Sequence, residues 1–309
     1  MIRMKELINW YYQLHIDHLE QLNDIYYTNF GDRYIYIISV GKEKNTVFFH
    51  LLQLLQYSST QRVLLSKENT TTVLFENQHY YVLESMTPLH EYVDIKTLNI
   101  PVIYPKPYPL ASELKQRWLA KTQLHEEQLN VLIDQLPPEN RSLFFDLATY
   151  YIHLNEQAYT FINEIATTEY LVSLCHMRLT PTTYKYEFFS PQLVTLDNKA
   201  RCYCEYIRHL YLMNLDLNQV RTFVQIINQV NPLTKEEWQL LYARLYFPTQ
   251  FYDALYNLRA DEEIDVPALY EQAMQYSKLL YQLPYEVYQS TLIELRVPEW
   301  VQREAKYSN

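Results

Sequence analysis

The chain has 309 residues, 48% of them hydrophobic and 20% charged, with a formal net charge of −10. That length buries one large core or two modest ones, and the acidic balance argues against nucleic acid or anionic membrane as a principal partner. The only two glycines, Gly31 and Gly41, exclude a Walker loop, a dinucleotide fingerprint and a kinase-type glycine loop, since each brings backbone amides to a phosphate through several glycines.

The first twenty residues interleave charges and histidines and do not read as a signal peptide. Residues 3–22 predict a helix, with Leu7, Tyr11, Leu14 and Leu22 near one face. After the turn "NFGDR", the run "YIYIISV" at 34–40 predicts a strand, far too short to span a membrane. "NTVFFHLLQLL" has helical spacing, "RVLLS" reads as a short strand, and "TTVLFENQHYYVLESM" reads as two strands joined at Glu76-Asn77-Gln78. Residues 1–90 are thus an α+β region. Residues 91–112 form a connector in which "NIPVIYPKPYPLAS" carries four of the 14 prolines.

From 113 to 309 the pattern is almost wholly helical. Leu129, Leu132, Ile133 and Leu136 make one stripe, and Leu143, Leu147, Tyr150, Tyr151 and Leu154 another. "SLCHMRLTPTTY", Ser173 to Tyr184, reads as a loop, followed by a short strand at Leu193–Leu196. Helical stripes resume with Tyr203, Tyr206, Ile207 and Leu210, then with Val220, Phe223, Val224 and Ile227. Thr234 with Glu237 forms a capping box, and Asp265 caps a helix with Pro267 at its first position. Strands are expected only in the first ninety residues and in a short hairpin near 188–197.

Cys175, Cys202 and Cys204 make no disulfide framework and no four-ligand zinc set, and fit ordinary core positions. His15-x-x-His18 would present two imidazoles on one helical face but finds no third ligand. No G-x-S-x-G elbow supports a serine nucleophile. Tyrosine, at 31 against 12 phenylalanines, brings apolar area with a polar tip and suits cores and interfaces.

A small α+β lobe, a proline-marked hinge and a larger helical lobe resemble the order of parts in protein kinases and aminoglycoside phosphotransferases. Their catalytic loop reads HGDLHxGN, followed by a metal-binding Asp; the loop Asp accepts the hydroxyl proton, and the Asn and later Asp hold magnesium. Laid on this chain, His176 takes the His place, Arg178 replaces the catalytic Asp, Thr183 replaces the Asn, and Asp197 takes the later Asp's place. Arginine stays protonated and neither accepts a proton nor binds a metal, and threonine is a poor ligand for a hard cation. The strand "DRYIYIISV" also lacks the lysine that would pair the phosphates. The bland readings are that His176 is bonded to nearby backbone and that Asp197 caps the next helix.

"LCHMRLTPTTY" and "SPQLVTLDNKARCYCEYIR" resemble the spore coat-associated YutH branch of the CotS kinase-like family, with its C-H-E-R-type loop and D-H-x-x-R-D-L-A-E-x-x-R-type segment. Cys175, His176 and Arg178 match the first motif, with Met177 in place of its acid. Asp197, Arg201, Glu205 and Arg208 match the second, with Asn198 for its His and Cys202 for its second Asp. The resemblance implies a bilobal protein-kinase-like fold and a non-catalytic, structural protein of the bacterial endospore coat. Its partners would be other coat proteins, with no nucleic acid, no transmembrane segment, no cofactor and no bound metal. His176, Arg178, Thr183, Asp197, Arg201 and Glu205 would line a degenerate kinase-like cleft, with Arg178 neutralised by Asp197 or Glu205. The alternative readings are an active small-molecule or protein phosphotransferase with an atypical nucleotide site, or a cytoplasmic ligand-binding module.

Overall fold

A computed structural model describes residues 2–41, 60–96, 98, 102–108, 110–165, 170–180, 182–212, 217–256 and 264–307. The chain divides into two units. The first comprises Met1–Asp94, Ile100–Ile103 and Ser173–Leu196; the second comprises Ile95–Asn99, Tyr104–Val172 and Asp197–Asn309. The helix expected in "NTVFFHLLQLL" lies outside the described residues.

In the first unit, helix α1 spans Ile2–Tyr12 and not the predicted 3–22. Gln13 has a φ of 55°, and the Asn9 amide closes the turn by donating to the Ile16 carbonyl at 3.0 Å and accepting from its N–H at 2.9 Å. Ile16 and Leu19 are buried by this redirected chain, so the helical spacing of Leu14 and Leu22 was coincidental. His15 therefore lies outside any helix, and the two imidazoles do not share a helical face. Strands β1 (Glu20–Leu22) and β2 (Ile25–Phe30) form a hairpin that the sequence pattern did not suggest. Next come β3 (Arg33–Ser39), β4 (Gln61–Leu64), β5 (Val73–Phe75) and β6 (Gln78–Ser85). The β5–β6 turn stands where it was expected. Glu76 and Asn77 have φ values of 47° and 65°, and a two-residue hairpin loop needs positive φ at both positions to match the strand twist.

The sheet is antiparallel, in the order β1-β2-β3-β6-β4, with β5 also on β6. Alternation along β3 and β6 separates two cores. Ile35, Ile37 and Val82 pack with Met4, Ile8 and Tyr12 of α1. On the opposite face Tyr36, Ile38, Tyr81 and Leu83 pack with Leu174, Tyr186, Phe189 and Val194. Burial on both faces explains why "YIYIISV" is apolar without a polar alternation. Gly41, with a φ of 70°, lies against Gln192, and a Cβ there would collide with the Gln192 side-chain amide.

A second sheet has the order β7-β8-β9, formed by Val102–Tyr108, Tyr170–His176 and Val194–Asp197. Two expectations are corrected here. The proline connector contains a strand, and the loop predicted from Ser173 begins inside one. Pro105 and Pro107 fit an edge strand, where a missing amide donor leaves no ladder bond unmade. In β8, Ser173, Leu174, Cys175 and His176 are all buried, so no polar alternation announced a strand.

The second unit contains helices α2 (Leu110–Gln135), α3 (Pro138–Glu164), α4 (Ala200–Leu212), α5 (Leu217–Val230), α6 (Lys235–Tyr246), α7 (Thr249–Tyr256), α8 (Val266–Thr291) and α9 (Glu299–Tyr307). Thr234 with Glu237 caps α6, and Asp265 caps α8, as the sequence predicts. No described helix is long and apolar enough to cross a membrane. The three cysteines are buried and form no disulfide.

Tyrosine does core work in this unit. The Tyr242 hydroxyl donates to the Leu280 carbonyl at 2.7 Å, Tyr276 to Leu245 at 2.7 Å, and Tyr150 lies 2.8 Å from the Ser277 hydroxyl. Each phenol fills the space between helices and ends on a polar partner, which removes the usual cost of burying a hydroxyl. Tyr242→Phe should therefore cost about 1 kcal/mol, the net worth of a buried hydrogen bond. Tyr242→Ala should cost about 3–5 kcal/mol through the cavity it leaves. Urea unfolding of both variants checks the ratio.

Candidate functional site

His176 ends β8 and is buried. Its Nδ1 accepts from the Arg178 amide at 3.2 Å, so the imidazole proton resides on Nε2, which faces Glu187 Oε2 at 3.5 Å. Glu187 Oε1 accepts from the Tyr184 amide at 2.8 Å. Burial alone would raise the Glu187 carboxyl, but the adjacent His176 imidazole and the Tyr184 amide outweigh it and hold the group below its ordinary range. The Arg178 guanidinium donates to the Met177 carbonyl at 2.9 Å. Thr183 is buried; its Oγ1 accepts from the Thr180 amide at 2.9 Å, and its carbonyl accepts from the Val93 amide at 2.8 Å. The loop is thus a tight, self-bonded turn rather than an open strap of side chains.

Asp197 ends β9. One oxygen, Oδ1, accepts from the Asn198 amide at 2.7 Å and from Arg244 Nη2 at 2.5 Å; Oδ2 accepts from Arg201 Nη1 at 3.0 Å. Its side chain is 4% exposed. Burial pushes the carboxyl up, yet the charges of Arg244 and Arg201 with these hydrogen bonds bring it below the ordinary carboxylate range. The helix cap is not Asp197 but Asn198, whose Oδ1 accepts from the Ala200 amide at 2.8 Å.

The remaining motif residues support this carboxylate from behind. Glu205 pairs with Arg208 at 2.8 Å. Arg208, buried, donates to the carbonyls of Arg244 and Phe247, and so fixes the backbone from which the Arg244 side chain reaches Asp197. Asn198 Nδ2 bonds Glu237 Oε1 at 3.2 Å, and Lys199 lies 3.3 Å from Glu237 Oε2. The spacing of Asp197 with Arg201 and of Glu205 with Arg208, four and three positions apart, was legible as helical pairing. Arg244 and Glu237 were not anticipated, because their contacts come from another helix.

Ion pairs join Asp197 to Arg201 and Arg244, and Glu205 to Arg208. His176, Arg178 and Thr183 belong to the first unit, and Asp197, Arg201 and Glu205 to the second. Among the described residues, no group of three or more histidines, cysteines or carboxylates is arranged to hold a metal. Kinase-fold enzymes bind magnesium with two oxygen ligands. Here Asp197 has both oxygens on guanidiniums, and Thr183 Oγ1 is engaged by its own turn. These residues do not fit that magnesium centre.

Sequence and structure comparisons add the following. A family model described as "Spore coat putative kinase YutH" matches residues 105–280. The endospore coat-associated protein YutH of Bacillus subtilis (strain 168) is 23% identical over 300 residues, covering 84% of this chain and 85% of that protein. The crystal structure of an aminoglycoside phosphotransferase from Alicyclobacillus acidocaldarius subsp. acidocaldarius DSM 446 superposes with a TM-score of 0.63 at 15% identity, covering 90% of this chain and 94% of that one. The fold is therefore the α+β, protein-kinase-like fold of aminoglycoside phosphotransferases, with a strand-rich N-terminal region and a helical C-terminal one. The expectation that the chain is no enzyme is corrected by the same finding. The solved structure that shares this fold is a phosphotransferase, so departures from the kinase motif do not by themselves make the chain non-catalytic.

The Asp197 network generates a stability test. Arg244→Met should cost about 3–5 kcal/mol, the usual penalty for stripping a partner from a buried charge. Asp197 titrates lower when folded than unfolded. Its contribution is therefore complete above the ordinary carboxylate value of about 3.9 and is lost as pH falls toward the depressed folded value. Asp197→Asn should make the loss of stability below about pH 4 shallower than in the wild type, measured by urea unfolding across an acid series.

Proposed function

The chain belongs to the spore coat YutH family, and on that premise we propose that it is a phosphotransferase of the endospore coat with an atypical nucleotide site. The observation that carries this reading is the charge of the triad at the start of α4. Two guanidiniums, Arg201 and Arg244, converge on one carboxylate, Asp197, on a rigid frame. Arg244 is 8% exposed and Arg201 is 18% exposed, so Arg201 is the more accessible of the two. A guanidinium binds phosphate through paired hydrogen bonds and keeps its charge at any relevant pH. Arginine here takes over the neutralisation that a strand lysine and a glycine loop provide in kinases.

His176, Arg178 and Thr183, as counterparts of the phosphotransferase motif, and Glu205, from the YutH-type segment, also belong to the proposal. No step is routed through magnesium, for which the residues do not fit. Phosphoryl transfer has a loose transition state and relies on positioning and charge more than on covalent chemistry. Without the loop carboxylate the rate should be lower by roughly 10²–10⁴, so a slow enzyme is the expectation. The coat association of the B. subtilis relative supports other coat proteins as partners and as the first acceptors to try.

The test is nucleotide binding and turnover by the purified full chain. ATP should raise the melting temperature, most of the rise should survive a magnesium chelator, and Arg201→Met should weaken binding at least tenfold, about 1.4 kcal/mol. Radiolabel should pass from the γ-phosphate to coat protein at a slow but measurable rate. No effect of millimolar ATP on melting, with no transfer above background, would end the reading.

A further inference from the structure

The face of the sheet that a nucleotide would need is already filled by the chain's own segment after the loop. A nucleotide docked on β3 must lie on one of the two faces of the sheet, and α1 covers the first. Residues Lys185–Phe189, a 3₁₀ turn, cover the second, where Tyr186 and Phe189 pack on Ile25, Tyr36, Ile38 and Tyr81. The segment is fastened at several points. The Lys185 amide donates to the Glu91 carbonyl at 3.0 Å and the Tyr186 amide to the Leu89 carbonyl at 2.9 Å. The Tyr81 hydroxyl donates to the Phe189 carbonyl. The Asn23 amide, at the tip of the β1–β2 turn, donates to the Tyr186 hydroxyl at 3.1 Å. Among the described residues, a cavity of about 170 Å³ beside the strap is lined by Asn23, Asp24, Ile38, Tyr186, Glu187 and Ser190. Ligand pockets run to roughly 300–1,000 Å³, so no nucleotide fits there with the strap in place.

We infer that Tyr184–Phe189 is an autoinhibitory strap, and that nucleotide binds only when it leaves the sheet. The inference rests on the phosphotransferase reading above. In that arrangement apparent affinity falls by the fraction of molecules whose strap is open. The Asn23 turn is the clasp. It holds Tyr186 by its hydroxyl.

The strap also offers a place to lock it. Tyr92 and Tyr184 form an isolated antiparallel bridge, flanked by Val93 N–H to Thr183 O at 2.8 Å and Lys185 N–H to Glu91 O at 3.0 Å. That is the non-hydrogen-bonded type of pair, with Cα atoms about 4.5 Å apart, a separation that a disulfide spans. The chain's three native cysteines are buried and do not compete.

The experiment measures ATP affinity for the full chain in three forms: wild type, Tyr186→Ala, and the double variant Tyr92→Cys/Tyr184→Cys oxidised or reduced. Tyr186→Ala should bind ATP at least tenfold more tightly than wild type. The oxidised double variant should bind at least tenfold more weakly than the same protein after reduction, a comparison that does not depend on whether Tyr186→Ala folds. Equal affinity of the oxidised and reduced forms would overturn the strap and leave the phosphotransferase reading standing. Absence of binding by every form, the reduced one included, would overturn both.

Discussion

The second unit depends on keeping one buried carboxylate ionised. Asp197, at the end of β9, is neutralised by Arg201 from its own helix and by Arg244 from α6. A charge this deep is tolerable only with excellent hydrogen bonding on both oxygens, and the chain supplies it in layers. Arg208 grips the Arg244 backbone, Glu205 pays for Arg208, and Asn198 ties the same junction to Glu237, which also caps α6. The motif residues act as one connected network, so removing any member strands another.

The network also explains why the kinase motif is so altered without loss of the fold. In an active kinase the carboxylate after the loop faces a metal, and its charge is met by that ion. Here two guanidiniums meet it. The architecture keeps its ionised anchor between β9 and α4. The loop follows the same logic. His176 turns to Glu187, and the Thr180–Thr183 turn closes on itself.

The abundance of tyrosine has a packing reason in both units. In the helical unit, phenols bridge helices by filling volume and donating to carbonyls that a phenylalanine would leave with one partner fewer. In the strand-rich unit, Tyr36, Tyr81 and Tyr186 form the layer between sheet and strap, each with its hydroxyl bonded. A core built this way is anchored by directional bonds as well as by area, which gives a segment such as the strap one seating on the sheet.

By itself the sequence determined the α+β character of the first ninety residues, the Glu76-Asn77 turn, the helical second half, both N-caps and the family motifs. These are local signals: periodicity, positive-φ residues and capping side chains act over a few positions. It misread the chain where tertiary contacts overrode the local pattern. The helix of residues 3–22 stops at Tyr12 because Asn9 folds the chain back. β7 and β8 escaped notice because one carries prolines on an edge and the other is buried through its polar residues. Arg244 reached Asp197, and Tyr186 and Phe189 reached the sheet, only through the fold. Those partners lie far apart along the chain, and no local spacing specifies a contact that depends on how separate elements pack.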